Sequence, residues 1–249
     1  MTEDLLSLRA AVISREARLR DLFRKAAPLA AVPAEIVDCD DMDVALSAAG
    51  SSDICYLDGA LSRDKLRRVV AAMRAAAKPP FMALLTAETA GPPCDVDGLA
   101  DKPSRLEEAK RLLDRSLRLR LVSRVLVVDD SATIRSIVRK ALSATRFAFE
   151  VGEAVDGADA LRLIREDHYD VIFVDQNMPD TSGLECLARI KQLRPDIAAI
   201  VMTSMQNAAL ADEARTLGAA FLRKPFFPPD IENALCGFYG LRALYSKRS

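Results

Sequence analysis

The feature that most constrains this chain is a long-period internal repeat. VISREARLRDLFRKA at 12–26 aligns with VVDDSATIRSIVRKA at 127–141 at an offset of 115. DICYLD at 53–58 aligns with DVIFVD at 170–175, and MALLTA at 82–87 with AIVMTS at 199–204, both at an offset of 117. In a chain of 249 residues, a repeat of this length predicts two domains of one fold. We place them at residues 1–120 and 121–249.

The second copy alternates apolar strands with segments of helical periodicity. VLVVDD at 125–130 and VIFVD at 171–175 are nearly continuous apolar runs, which are typical of parallel strands buried on both faces. The pattern predicts an α/β fold, with two doubly wound (βα)5 domains in tandem. Between Thr86 and Lys102 the first copy has Gly91-Pro92-Pro93 and few helix formers, so its fourth helix should be shortened or missing. A linker helix should end the first domain.

Polar side chains end the predicted strands of the second copy. They are Asp129, Asp130, Asp175, Thr203 and Lys224. Because the ends of parallel strands share one edge of a sheet, we expect these side chains to converge. Three carboxylates in one site repel one another unless a cation lies among them, and Mg2+ prefers oxygen ligands. An ionised Asp175 is then able to attack a phosphoryl donor, while Lys224 neutralises the phosphoryl oxygens.

Four segments, VVDDS, VDQNMPDTSG, VMTS and FLRKPF, together resemble the receiver domain of two-component response regulators. DQNMP is similar to the chemotaxis-type regulators of that family. The resemblance spans residues 124–245 and implies a flavodoxin-like fold. It also implies that Asp175 is the phosphoacceptor and that Mg2+ is held by Asp129, Asp130, Asp175 and the main-chain carbonyl of Asn177.

The resemblance assigns further roles at the ends of the last two strands. Thr203 and Lys224 would assist the chemistry at Asp175. Thr203 and Phe221 would form a switch pair, although Phe221 is equally well read as a core aromatic. The peptide bond between Lys224 and Pro225 would be cis.

The first copy keeps only part of this set. Its matching positions are Asp58, Thr86 and Lys102. Ser14 and Arg15 replace the acidic pair, so Mg2+ loses its main carboxylates and a fixed positive charge takes their place. We interpret this copy as a degenerate pseudo-receiver that is not phosphorylated and serves docking or dimerisation. A shifted alignment would instead offer Glu16 as a ligand.

Composition narrows the function classes. The net charge is −1, with 35 basic and 36 acidic residues, so nothing in the overall charge favours nucleic acid or anionic lipid. No apolar run approaches the roughly 20 residues that span a bilayer. The 5 cysteines show no metal-ligand spacing, and with no secretory leader we expect reduced thiols in a cytoplasmic protein.

These patterns predict a response regulator. Because the chain ends at LRALYSKRS, we expect no DNA-binding or enzymatic output domain and no activity beyond self-phosphorylation and autodephosphorylation. The predicted partners are a sensor histidine kinase or histidine phosphotransfer protein, a downstream protein target and a second copy of the chain. A dimer would use the first domain or a last helix carrying Leu235, Phe238, Leu241 and Tyr245. The alternatives are a phosphorelay intermediate or phosphate sink, and a phosphohydrolase, which Asn177 disfavours because those enzymes have an acid there.

Overall fold

Two parallel five-stranded sheets organise the computed structural model, which describes residues 8–48, 50–87, 92–145, 147–204 and 208–242. The described residues divide into two units. The first contains those up to Arg120 together with those from Cys236 onward, and the second contains Leu121–Leu235. Among the described helices, none is both long and apolar enough to cross a lipid bilayer.

The first unit has five strands and four α-helices in its described residues. They are β1 (Leu8–Ile13), α1 (Ala17–Ala26), β2 (Ala34–Cys39), α2 (Met42–Ala48), β3 (Ile54–Asp58), α3 (Arg63–Arg74), β4 (Phe81–Leu85), β5 (Gly98–Ala100) and α4 (Leu106–Ser116). The strand order is β2-β1-β3-β4-β5, and all pairs are parallel. No helix lies between β4 and β5 in the residues described there, 86–87 and 92–97, as the proline and glycine content predicts.

The second unit repeats the arrangement with a helix after every strand. Its elements are β6 (Ser123–Val128), α5 (Ala132–Ser143), β7 (Phe149–Ala154), α6 (Gly157–Glu166), β8 (Val171–Asp175), α7 (Gly183–Leu193), β9 (Ala198–Thr203), α8 (Ala208–Thr216), β10 (Ala219–Arg223) and α9 (Pro228–Cys236). The strand order is β10-β9-β8-β6-β7, which is the topology of the first sheet. The prediction of two tandem doubly wound flavodoxin-like domains is therefore confirmed.

Burial explains why these segments form strands. All five residues of β3 and all five of β8 are buried, since helices cover both faces of each sheet.

Capping side chains fix the residues at which three helices of the second unit begin. Ser131 and Asp156 cap α5 and α6, and Ser182 and Glu185 form a capping box at α7. These caps fix where the chain leaves each strand end, which positions the loops of the site.

The predicted last helix is shorter than the sequence suggested. It ends at Cys236, and Gly240 adopts a left-handed φ of 71°, which glycine accepts without strain. The segment Gly237–Arg242, here called the C-terminal tail, belongs to the first unit. Leu241 is buried there, and Arg242 pairs antiparallel with Leu99 of β5. The expectation that the last helix carries Phe238 and Leu241 is therefore wrong. Tyr245 lies outside the described residues.

Candidate functional site

The acidic cluster of the second unit forms where β6 and β8 lie side by side. Asp129 follows β6 and is 1% exposed, Asp130 is exposed, and Asp175 ends β8 and is 5% exposed. Each of the three carboxyl groups offers an oxygen within 4.8 Å of the others. In a doubly wound sheet, neighbouring strands whose connections run to opposite sides leave a crevice at their carboxyl ends. The sequence therefore predicted which acids converge, and the sheet order explains why.

Lys224 supplies the cation of this cluster. Its Nζ lies 2.8 Å from Oδ2 of Asp129 and 2.9 Å from Oδ1 of Asp175. Burial by itself would lower the pKa of Lys224, but the hydrogen bonds to Asp129 and Asp175 outweigh it and leave the pKa above its ordinary value. The ammonium therefore stays charged between the two carboxylates. The peptide bond between Lys224 and Pro225 is cis, as the resemblance implied.

Burial of Asp175 predicts how stability depends on pH. Burial raises the pKa of Asp175, Lys224 opposes the rise, and Asp129 adds to it. A carboxyl group whose pKa is higher in the folded chain than the unfolded value of about 3.9 costs stability once it ionises, so the cost grows as the pH rises. Without divalent ions, Asp175→Asn should therefore unfold at a higher temperature than the unchanged chain at neutral pH, and the difference should shrink at low pH.

Thermal unfolding followed by calorimetry at both pH values tests this expectation. Asp196→Asn removes an exposed carboxylate of the same unit and serves as the control, with little change at either pH. A stabilisation by Asp175→Asn that increases on acidification would contradict the prediction.

The remaining predicted residues lie around the cluster with different exposures. Thr203 ends β9 and is fully buried, and its carbonyl oxygen accepts a hydrogen bond from the Lys224 N–H at 2.7 Å. Asn177 pairs with Ser182 across the loop that follows β8. Phe221, on β10, is partly buried and packs against the hydrophobic core. Their roles as ligand and switch residues stay predictions.

Two residues important for the site's geometry were missed from sequence. A Cβ on Gly183 would lie 2.3 Å from the Asp175 carbonyl oxygen, so only glycine permits this close approach. Arg135 donates from Nη1 to the Asp129 carbonyl oxygen at 2.8 Å and from Nε to Glu153 at 2.9 Å. One sequence feature could have pointed to Arg135. It is an arginine in the first turn of a predicted helix, where the helix dipole does not favour a cation.

The first unit holds a different arrangement at the matching strand ends. Ser14 Oγ donates to Oδ2 of Asp58 at 2.5 Å, and Lys102 Nζ lies 3.1 Å from Oδ1 of Asp58. Lys102 also pairs with Glu16 at 2.7 Å. Burial would lower the pKa of Lys102, but the hydrogen bonds to Glu16 and Asp58 raise it. The charge of Asp58 is thus balanced by groups of the chain itself.

Equivalent backbone hydrogen bonds in the two units show which residues correspond, and this correspondence needs no shift of the sequence alignment. The Ser14 N–H donates to the Cys39 carbonyl oxygen at 3.1 Å, and the Asp129 N–H donates to that of Ala154 at 3.3 Å. Both pairs keep the offset of 115. Ser14 therefore stands at the position of Asp129, which argues against the shifted alignment that would make Glu16 a ligand.

Comparisons with known proteins support these likenesses. The family model described as response regulator receiver domain matches residues 125–236. The chemotaxis protein CheY of Thermotoga maritima is 34% identical over 114 residues, which cover 45% of this chain and 93% of that protein. A protein-glutamate methylesterase/protein-glutamine glutaminase of Treponema pallidum is 36% identical over 105 residues, covering 41% of this chain but only 26% of its own length.

A solved structure also matches across both units. It is described as a two-component system response regulator/GGDEF domain protein, with a TM-score of 0.50, 20% identity, and coverage of 91% of this chain and 95% of that one. At this identity the likeness concerns the fold alone. It agrees with the tandem arrangement of two five-stranded parallel sheets.

Proposed function

This chain belongs to the response regulator receiver family, and from that membership we propose that its second unit accepts a phosphoryl group on Asp175 in a Mg2+-dependent reaction. One observation carries the proposal, namely the convergence of Asp129, Asp130 and Asp175 beside the ammonium of Lys224. We do not extend it to a phosphorelay intermediate or phosphate sink, which the comparisons do not favour.

The donor set of this cluster fits Mg2+. Three carboxylates lie close together, and Lys224 alone leaves the pKa of Asp175 above its ordinary value, so the cluster has room for more positive charge. Asp129, Asp130, Asp175 and the main-chain carbonyl of Asn177 would hold the ion. Bound there, Mg2+ would neutralise the phosphoryl oxygens during transfer.

The side chains of the cluster would have different roles in the transfer of the phosphoryl group. A carboxylate oxygen of Asp175 forms the new bond to phosphorus while the bond from phosphorus to the donor's nitrogen breaks. Lys224 lies 2.9 Å from Asp175 and supplies a fixed positive charge for the transferred oxygens. Arg135 and Gly183 hold the main chain of the two strand ends in place, so the carboxylates need not reorganise.

The structural effect of phosphorylation would be transmitted from Asp175 through the neighbouring strands. Thr203 ends the strand next to Asp175, and Phe221 lies on the strand beyond it, only partly buried. We propose that the new charge on Asp175 shifts an existing equilibrium of this pair and so changes protein–protein contacts. The donor would be a sensor histidine kinase or a histidine phosphotransfer protein. The first unit would be a pseudo-receiver that docks a partner or a second copy.

Phosphorylation of the purified full chain tests the proposal. With Mg2+ and acetyl phosphate, intact-mass spectrometry should show close to one phosphoryl group per chain, removable by hydroxylamine. Excess EDTA should reduce this labelling to background, and added Mg2+ should restore it. Labelling that is absent with Mg2+, or equally strong with EDTA, would contradict the proposal.

A further inference from the structure

Two adjoining cavities open beside Asp58 in the first unit. Their volumes are about 510 and 270 Å3. Arg15, Leu61 and Lys65 line both of them, while Asp58 lines only the larger one. The larger cavity has the size of a small-molecule site. The position matters because the strand ends here match those of the acidic cluster in the second unit.

The larger cavity presents two cations that are not engaged. Within the described part of the chain, neither the guanidinium of Arg15 nor the ammonium of Lys65 forms a hydrogen bond or an ion pair. Other arginines near these strand ends are engaged, such as Arg20, which pairs with Asp38. Arg15 and Lys65 therefore have free donors facing the same space.

The acids of the larger cavity, Glu16 and Asp58, share the single positive charge of Lys102. Lys102 pairs with Glu16 at 2.7 Å and with Asp58 at 3.1 Å, and Asp58 also accepts from Ser14 Oγ and from the Ala60 N–H. A further group of acids lines only the smaller cavity. These are Asp40, Asp41 and Asp43. At the larger cavity Arg15, Lys65 and Lys102 therefore stand against two carboxylates, which leaves one positive charge in excess. At the smaller cavity Arg15 and Lys65 face three carboxylates.

We propose that the larger cavity binds a phosphate group non-covalently and without a metal ion. A hydroxyl and a guanidinium, Ser14 and Arg15, replace the two carboxylates that stand at this place in the second unit. That exchange reverses the preference of the site from a divalent cation to an oxyanion. Arginine offers paired N–H donors that match a phosphate, and lysine adds a point charge.

The phosphate group has two possible sources, a free phosphate ion or a phosphate ester. The smaller cavity continues from the larger one, and its carboxylates are hydrogen-bond acceptors. A phosphate ester carrying an ammonium group would therefore reach favourable partners there, whereas free phosphate would not. Phosphoethanolamine and inorganic phosphate are matched probes of this difference. Tighter binding of phosphoethanolamine assigns the site to an ester, and equal binding assigns it to the free ion.

Isothermal titration calorimetry tests the proposal on the full chain. Asp175→Asn and excess EDTA remove the phosphorylation chemistry of the second unit, so failure here does not bear on the proposed function. Ionic strength is held constant with sodium chloride. We expect inorganic phosphate to bind with a dissociation constant of about 1 mM or tighter. Arg15→Gln should weaken binding about tenfold, and Arg15→Lys should weaken it less.

Arg68→Gln is the matched control, because Arg68 is an exposed arginine of the same unit that does not line either cavity. It should leave phosphate binding unchanged. Absence of binding at tens of millimolar phosphate would overturn the proposal. So would binding that Arg15→Gln leaves intact, or that Arg68→Gln weakens equally, because the effect would then be general charge attraction.

Discussion

Asp175→Asn should abolish phosphorylation of the full chain, whereas Asp58→Asn should leave it at the level of the unchanged protein. Asp175 is the nucleophile in the proposed reaction, and an amide oxygen cannot replace it as an attacking carboxylate. Asp58 lies at the matching strand end, but Ser14 and Lys102 occupy its oxygens, and no acidic pair accompanies it. The two substitutions are the same chemical change in two related environments.

Intact-mass spectrometry after incubation with acetyl phosphate and Mg2+ measures both variants side by side. Each variant removes one carboxylate from a buried strand end, and circular dichroism of both variants checks that they remain folded. Persistent labelling of Asp175→Asn would show that a residue other than Asp175 is the phosphoacceptor. Loss of labelling in Asp58→Asn would show that the first unit takes part in the chemistry.

Leu241→Ala should destabilise the first unit by about 2–5 kcal/mol, the usual cost of truncating a buried leucine. Leu241 is 4% exposed, and a Cβ placed on Gly98 would lie 3.2 Å from it. The backbone bonds between Leu99 and Arg242 hold the tail against β5. Truncation of Leu241 leaves a cavity at that edge, so the pairing of Leu99 should weaken with it.

Hydrogen exchange with mass spectrometry measures this effect locally. Peptides containing β5 should exchange faster in Leu241→Ala, while peptides containing β8 of the second unit keep their protection. Leu193→Ala removes a leucine that is 45% exposed and should change neither region. Unchanged exchange at β5 would mean that the tail contributes little to the stability of the first unit.

The convergence of the acidic cluster was predictable because the physical rules involved are local and strict. An apolar run that ends in acids predicts a buried strand with polar residues at its carboxyl end, and parallel pairing brings such ends together. Asp129, Asp175 and Lys224 followed from these rules. The absence of a helix from the described residues between β4 and β5 followed equally, because Pro92 and Pro93 oppose helix formation.

The contacts that were missed depend on distant packing rather than on local pattern. Nothing in GFYGLR predicts that Leu241 packs on Gly98, since the segment is short and has no clear periodicity. The pairing of Lys102 with Glu16 likewise joins residues far apart in sequence. Gly183 could be recognised as a helix start, but its approach to the Asp175 carbonyl requires the three-dimensional arrangement.

The position of the C-terminal tail at the end of the chain has a consequence for the folding of the first unit during protein synthesis. The ribosome delivers β1 to β5 first, yet Arg242, the residue that pairs with Leu99, is translated only after the whole second unit. While the second unit is being synthesised, β5 of the nascent first unit therefore lacks its pairing with Arg242. A gene fragment that stops at Arg120 lacks the segment that pairs with Leu99, so expression trials of the first unit should supply residues 236–242 as well.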